Sequence, residues 1–137
     1  MRRPIIASLW FVLTSAAAHA NGVLPAQEIN PAEFVALACR SLIVDVRMDN
    51  ERIGADTRAW GFKLKCRPQV VNAPYDLEFG FLEPEKVAAL PRRPILVICS
   101  AGVRSAHAAK ALGPNARSLH GGIRALPRRV RFGRPPL

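Results

Sequence analysis

Residues 95–105 read Ile-Leu-Val-Ile-Cys-Ser-Ala-Gly-Val-Arg-Ser, and this stretch is the clearest indication of the fold class. Its first four residues are all apolar, which is typical of a strand buried on both faces in the middle of a parallel sheet. An Ala-rich stretch follows at residues 106–112 and predicts a helix that ends at the Gly-Pro pair of residues 113–114. The chain is therefore predicted to be an α/β protein with a mostly parallel sheet.

Cys99 ends the apolar strand, at the edge of the sheet where open α/β folds bind their ligands. We expect the loop amides and the positive end of the following helix to converge there on one anion, and Arg104 adds a positive charge. These surroundings favour a reactive thiolate, so we interpret Cys99 as a nucleophile. The alternative is a buried, inert thiol, because free cysteines commonly lie at strand ends.

The segments before the apolar strand continue the alternation of helix and strand signals. Residues 30–40 begin with Asn-Pro-Ala-Glu, an N-cap, a first-turn proline and a capping glutamate, and predict a helix. Residues 42–47 predict a strand, residues 70–74 a second short strand, and residues 83–90 a short helix. Residues 48–69 have no sustained periodicity and are expected to be irregular.

The loop CSAGVRS at residues 99–105 resembles the active-site loop of rhodanese (thiosulfate sulfurtransferase) domains, whose pattern is close to C-x-x-G-x-R-S. LIVDVR at residues 42–47 resembles the family's early D-x-R strand, VVNAPY at residues 70–75 its Asn-x-Pro turn, and LHGGI at residues 119–123 its Gly-Gly pair. Small exported single-domain members are especially similar. The resemblance implies a three-layer domain with a central, mostly parallel sheet and helices on both faces.

The resemblance also implies roles for the residues of the loop. Cys99 would accept sulfur from a small anionic donor such as thiosulfate, and a thiol or cyanide would remove it from the resulting persulfide. A thiol-bearing protein is a further acceptor that this chemistry allows. Arg104 and Ser105 would help to hold the donor. The residues whose amides would surround the bound sulfur are Ser100, Ala101, Gly102, Val103, Arg104 and Ser105.

Asp45 and Arg47 resemble the family's structural pair, and we expect them to maintain the fold. The chain departs from the family pattern in two places. The usual G-H-I-P-G-A is absent, because residues 48–69 replace it with a connection longer by roughly eight residues. Leu126 stands where a Trp often follows the Gly-Gly pair. Substrate choice therefore does not carry over from the family.

Two other function classes stay open beside the sulfurtransferase. A cysteine phosphatase or arsenate reductase also uses Cys and Arg, but its loop has five residues between them, whereas Cys99 and Arg104 enclose four. The shorter cradle suits a single sulfur atom better than a tetrahedral phosphoryl group. The second class is a non-catalytic sulfur-carrier or thiol-binding module, in which Cys99 stores sulfur or pairs with a partner thiol without turnover.

The chain has 137 residues with a formal net charge of +10, and all eleven charged residues within 86–137 are basic. Phe132 is the single aromatic residue among these bases, so we expect no nucleic-acid partner, and we expect the basic tail from about residue 127 to be solvated. The charge can instead draw anions toward a nearby site. The cysteine and histidine spacings form no metal motif, and neither a metal nor a cofactor is expected.

Residues 1–20 are predicted to be a signal peptide. Arg2 and Arg3 form the charged start, an uncharged stretch follows, and Ala18-His19-Ala20 is a small-residue cleavage pattern. The stretch is shorter than the roughly 20 residues that a membrane-spanning helix needs, so no stable anchor is expected after cleavage. A single domain at residues 21–137 is then predicted to begin at Asn21 in the periplasm or another exported location.

Cys66 is the residue whose interpretation stays most open. Lys63, Lys65 and Arg67 surround it, which favours a second reactive thiol that accepts sulfur from Cys99 or forms a protective disulfide with it. The alternatives are an exposed loop thiol or a structural pairing with Cys39. Three further side chains are assigned to non-catalytic positions: His107 and His120 to the surface, and Trp60 to an anchoring contact with the core.

Overall fold

The computed structural model describes residues 27–53, 64 and 66–131. The predicted signal peptide and Trp60 lie outside the described residues. In chain order the elements are β1 (Glu28–Ile29), α1 (Pro31–Leu37), a 3₁₀ turn (Ala38–Arg40), β2 (Leu42–Asp45), α2 (Asp49–Ile53), β3 (Gln69–Asn72), β4 (Tyr75–Asp76), β5 (Gly80–Phe81), α3 (Pro84–Ala88), β6 (Ile95–Ile98), α4 (Val103–Leu112), β7 (Ala116–Leu119), a second 3₁₀ turn (Ile123–Ala125) and α5 (Arg128–Arg131).

Within the described ranges, five strands form the central sheet in the order β1-β7-β6-β2-β3. Every neighbouring pair in this sheet is parallel. The predicted α/β class and the mostly parallel sheet are therefore confirmed. β6 lies between β7 and β2, and Ile98 at its carboxyl end pairs with Asp45 at the carboxyl end of β2. The residues that follow these two strands consequently meet at one edge of the sheet.

Side chains of the central strands alternate between two faces, because successive residues of a strand point to opposite sides. On β6, Ile95 and Val97 belong to a core with α4, and Cys99 continues their parity. Leu96 and Ile98 belong to a second core with α1. Helix α4 covers the first core and helix α1 covers the second. The domain therefore has helices on both faces of the sheet, as the resemblance implied.

The first helix forms as its N-terminal signals predict. Asn30 has extended backbone and its Oδ1 accepts the Glu33 amide at 2.9 Å, which satisfies one of the unpaired amides of the first turn. Pro31 occupies the first helical position, where its missing N–H costs no hydrogen bond. Phe34 is fully buried beneath the helix. The helix then tightens into the 3₁₀ turn that ends at Arg40.

Three segments of the chain differ from the secondary structure that the sequence predicted. Residues 48–69 are not wholly irregular, because α2 forms directly after β2; residues 54–63 and 65 of this segment lie outside the description. A hairpin of β4 and β5 follows β3, where Tyr75 and Phe81 pack edge to face. The basic tail begins with the helix α5, and its residues 132–137 lie outside the described part.

The described residues contain no helix with the length and apolarity that crossing a bilayer requires.

Candidate functional site

Cys99 lies directly after β6 and is 2% exposed. Its backbone is held at the sheet edge, because the Cys99 carbonyl accepts the Ile123 amide at 2.9 Å. Its thiol points to the face that α4 covers, following the parity of Ile95 and Val97. The strand therefore places one sulfur atom between the sheet edge and the first turn of a helix.

The sulfur is contacted by groups from the loop and the helix. The Gly102 amide donates to Cys99 Sγ at 3.0 Å, and the Cys99 thiol donates to Ser105 Oγ at 3.4 Å. Gly102 is the N-cap of α4, so the sulfur also lies near the positive end of a ten-residue helix. An amide aimed at a sulfur from this position stabilises negative charge on it.

A second hydroxyl lies behind the first. Ser118 on β7 is fully buried, and its Oγ is 2.7 Å from Ser105 Oγ. Ser105 Oγ also donates to the Gly102 carbonyl at 3.2 Å. Register explains the arrangement: Ser118 pairs with Val97 on the neighbouring strand, and therefore faces α4 on the same side of the sheet as Cys99. Cys99, Ser105 and Ser118 thus form a buried chain of polar contacts.

Helix α4 begins at Val103, three residues earlier than predicted, so Arg104 and Ser105 lie in its first turn. The early start depends on Gly102, whose φ of +96° is a conformation that side chains disfavour. A Cβ at Gly102 would also lie 2.9 Å from the Gly121 amide nitrogen. Glycine at this position therefore allows both the left-handed backbone and the close approach of the Gly-Gly pair.

The Gly-Gly pair packs against the cysteine loop from the other side. Gly122 has a φ of +68°, and a Cβ there would lie 2.6 Å from the Ala101 amide nitrogen. The Arg124 amide donates to the Ser100 carbonyl at 3.2 Å. The motif at residues 119–123 therefore acts by close backbone approach and holds the loop in place.

Arg104 does not present an unpaired positive charge at the site. Its Nη1 donates to Glu51 Oε2 at 2.6 Å, and its Nη2 donates to Glu51 Oε1. Glu51 Oε2 also accepts the Met48 amide at 2.8 Å. The hydrogen bond from Arg104 lowers the pKa of Glu51, and the same bond raises the pKa of Arg104. Arg104 precedes Ser105 in the first turn of α4, and Ser105 contacts the Cys99 sulfur, so the ion pair lies beside the loop.

Asp45 and Arg47 form the buried pair that the resemblance implied. Arg47 Nε donates to Asp45 Oδ1 at 3.1 Å, and Arg47 Nη2 donates to Asp45 Oδ2 at 3.2 Å. The Asn72 side-chain amide donates to both backbone carbonyls, at 2.9 Å for Asp45 and 3.0 Å for Arg47. Asn72 therefore links the end of β3 to the backbone at the end of β2, and the buried Asp45–Arg47 pair agrees with the structural role expected from the sequence.

The expectation that Cys66 carries an accessory thiol is wrong. Cys66 forms a disulfide with Cys39, and their Cα atoms are 5.8 Å apart. The bridge joins the 3₁₀ turn after α1 to the segment before β3, and Cys99 is the cysteine that stays free. The structural pairing left open by the sequence is the one observed. Sequence spacing could not decide it, because the distance between the two segments depends on the packing of the sheet.

The remaining predicted residues divide between the site and the surface. Ser100 is half-buried in the loop, whereas Ala101 and Val103 are exposed. His107 and His120 are both exposed, and His120 lies 3.5 Å from Glu28, so surface positions are confirmed for both.

The sequence analysis did not identify Glu51 or Ser118 as residues of the candidate site. A polar residue within a buried strand is the signal that could have identified Ser118, but nothing local marks Glu51.

Two solved structures are similar to this chain. A rhodanese-related protein from Thermoplasma volcanium is 27% identical, with 72% of this chain and 88% of that chain covered and a TM-score of 0.53. A protein from Staphylococcus saprophyticus is 26% identical, with 74% of this chain and 94% of that chain covered and a TM-score of 0.50. No family model matches the chain, and no curated protein sequence does. The fold is rhodanese-like.

Proposed function

We propose that this rhodanese-like domain is a sulfurtransferase that carries sulfane sulfur on Cys99 between a small donor and a thiol or cyanide. The observation that carries the proposal is the Gly102 amide aimed at the Cys99 sulfur at 3.0 Å, at the start of α4. An amide and a helix N-terminus both favour negative charge at that point. The rhodanese-like fold supports the same assignment.

The proposed reaction has two displacement steps. The Cys99 thiolate attacks the outer sulfur of thiosulfate, a sulfur–sulfur bond forms, and the donor's own sulfur–sulfur bond breaks with its electron pair leaving on sulfite. An acceptor thiolate or cyanide then attacks the terminal sulfur of the persulfide. That bond breaks, and the Cys99 thiolate is restored. Charge and atoms balance in both steps without a redox partner or cofactor.

The experiment that tests this function is intact-mass analysis of the protein after thiosulfate treatment, with and without cyanide. The expected result is the gain of one sulfur atom, its loss on addition of cyanide, and the appearance of thiocyanate. Cys99→Ser is the control, because it keeps the size of the side chain and removes the nucleophile. Sulfur gain by the Cys99→Ser variant, or none by the wild type with any sulfane donor, would overturn the assignment.

The sulfur-carrier alternative is favoured by one observation, the 2% exposure of Cys99, since burial also protects a stored sulfur from water and thiols. Turnover separates the two functions. An enzyme forms many equivalents of thiocyanate per protein molecule when thiosulfate and cyanide are in excess. A carrier stops after one equivalent, or releases its sulfur only to a thiol-bearing protein.

We also propose that the protein works outside the cytoplasm. The predicted cleavage pattern at residues 18–20 supports export. The Cys39–Cys66 disulfide supports it independently, because such bridges persist in oxidising compartments. Cys99 would then meet its donor and acceptor in the periplasm or an equivalent space.

A further inference from the structure

The Glu51–Arg104 pair lies at the edge of the proposed site and involves both terminal nitrogens of the guanidinium. The two side chains are only 31% and 19% exposed, so water screens their interaction incompletely. The Met48 amide also donates a hydrogen bond to Glu51 Oε2, which helps to fix the carboxylate. Glu51 is therefore a built partner of Arg104 and not a surface ion pair formed by chance proximity.

This pairing changes what an incoming donor encounters. The Glu51 carboxylate balances the charge of the guanidinium and accepts a hydrogen bond from each of its two terminal nitrogens. An anion that is to use Arg104 must first displace Glu51. The neighbouring Asp45–Arg47 pair is balanced in the same way. Among the described residues of the loop, the Gly102 amide and the start of α4 then remain to attract a donor, and they face a single sulfur atom.

We propose that Glu51 determines the charge class of the sulfur donor: it disfavours doubly negative donors such as thiosulfate and leaves the site better matched to alkyl persulfides, which carry at most one negative charge. This inference rests on the proposed sulfurtransferase function. With a persulfide donor, the Cys99 thiolate attacks the terminal sulfur of R–S–SH. The Cys99 persulfide forms with the proton retained, and R–S⁻ leaves with the electron pair, so the step balances without another reactant.

The test compares single-turnover loading of Cys99 by thiosulfate and by the persulfide of 2-mercaptoethanol, followed by intact mass. Glu51→Gln removes the charge, keeps the shape and leaves one hydrogen-bond acceptor for Arg104. It is expected to raise the loading rate with thiosulfate about tenfold and to change the rate with the persulfide by less than about twofold. Glu51→Asp retains the charge and is expected to keep the discrimination against thiosulfate.

Asp49→Asn is the matched control, because it removes the same charge from the same short helix, two residues away from Glu51. It is expected to leave both loading rates within about twofold of the wild type. Equal acceleration of both donors by Glu51→Gln would show that Glu51 only positions the loop, and an unchanged thiosulfate rate would show that it does not control the donor. Either result overturns the proposal.

A second measurement separates this proposal from the proposed function. Sulfate, which transfers no sulfur, is used to protect Cys99 from alkylation by the neutral reagent iodoacetamide. The sulfate concentration that halves the alkylation rate is expected to be about tenfold lower in Glu51→Gln than in wild type. If the wild type accepts sulfur from neither donor, the proposed function fails, but the sulfate result still decides whether Glu51 excludes doubly negative ions. Equal protection in both proteins contradicts the role of Glu51.

Discussion

At the scale of single residues, Ser118 is the side chain that we expect to act on Cys99 through another residue. The neutral thiol donates to Ser105 Oγ, but a negatively charged sulfur has no proton to donate, so the Ser105 hydroxyl must turn to donate to it. Ser118 donates to Ser105 Oγ across 2.7 Å in both states, and this bond polarises the Ser105 hydroxyl and makes it a stronger donor to the charged sulfur. Ser118 is in this sense a positioning residue for the charged form of the sulfur.

Ser118→Ala is therefore expected to lower the rate of Cys99 alkylation about threefold to tenfold, the equivalent of one neutral hydrogen bond. The measurement is the rate of reaction with iodoacetamide at neutral pH. Ser41→Ala is the matched control, because Ser41 is also buried and hydrogen-bonded, to the Leu37 carbonyl at 2.8 Å, but does not contact the chain of hydroxyls. Equal alkylation rates for Ser118→Ala and wild type would contradict the positioning role.

Gly122→Ala tests whether close backbone approach holds the cysteine loop. Gly122 and Gly80 have similar φ values, +68° and +77°, but a Cβ at Gly80 meets nothing within 4 Å. Gly80→Ala is expected to cost about 1–2 kcal/mol, the price of the left-handed conformation alone. Gly122→Ala is expected to cost a further ~1–3 kcal/mol, because its ψ of −167° lies outside the left-handed helical region and because neither backbone segment can move aside easily. Urea unfolding measures both variants, and equal losses would show that the contact is unimportant.

At the scale of elements, the disulfide ties the 3₁₀ turn after α1 to the approach to β3. Cys39 and Cys66 are separated by 27 residues, and closing a loop of that length in the unfolded chain is worth about 3–4 kcal/mol. The double variant Cys39→Ala, Cys66→Ala is expected to lose about that free energy of unfolding and to load sulfur on Cys99 as the wild type does. Loss of loading in a folded double variant would restore the idea that Cys66 takes part in the chemistry.

The contact of α2 with α4 through Glu51 and Arg104 is expected to stabilise the fold in a pH-dependent way. The pKa of Glu51 is lowered from its ordinary value of 4.5 by the hydrogen bond from Arg104. The stabilisation is therefore fully present above about pH 4.5 and is lost as the pH falls through the lowered pKa. Thermal unfolding should show wild type more stable than Glu51→Gln near neutral pH, with the difference shrinking below about pH 4.5.

The control for this titration is Glu78→Gln in the exposed turn of the β4–β5 hairpin. Its difference from wild type is expected to stay small across the same pH range, because exposed charges contribute little to stability. A Glu51→Gln difference that does not change with pH would mean that the ion pair contributes nothing to the free energy of unfolding.

At the scale of the whole molecule, the prediction concerns where the protein works. The charged start, the uncharged stretch and Ala18-His19-Ala20 predict export with cleavage. N-terminal sequencing of protein from an extracytoplasmic fraction is expected to begin at or near Asn21, with Cys39 and Cys66 protected from alkylation until a reductant is added. Recovery of the full-length chain from the cytoplasm, with both cysteines reduced, would contradict this prediction.

Much of the architecture could be predicted because its signals are local. The apolar run at residues 95–98 implied a central parallel strand and the cap at Asn30 implied the start of α1, and the structure confirms both. The position of Cys99 followed from the same reasoning, because a strand, a loop and a helix in immediate succession define where it lies.

Contacts between distant segments were decided only by the tertiary structure. Glu51 is 53 residues from Arg104 along the chain, Cys39 is 27 residues from Cys66, and the side chain of Ser118 reaches the site from a neighbouring strand. Local sequence determines which backbone conformations are favourable, but the partners of a charge, a thiol or a hydroxyl depend on strand order and register. Burial of apolar side chains drives that packing, and it is not directional enough to be read from spacing alone.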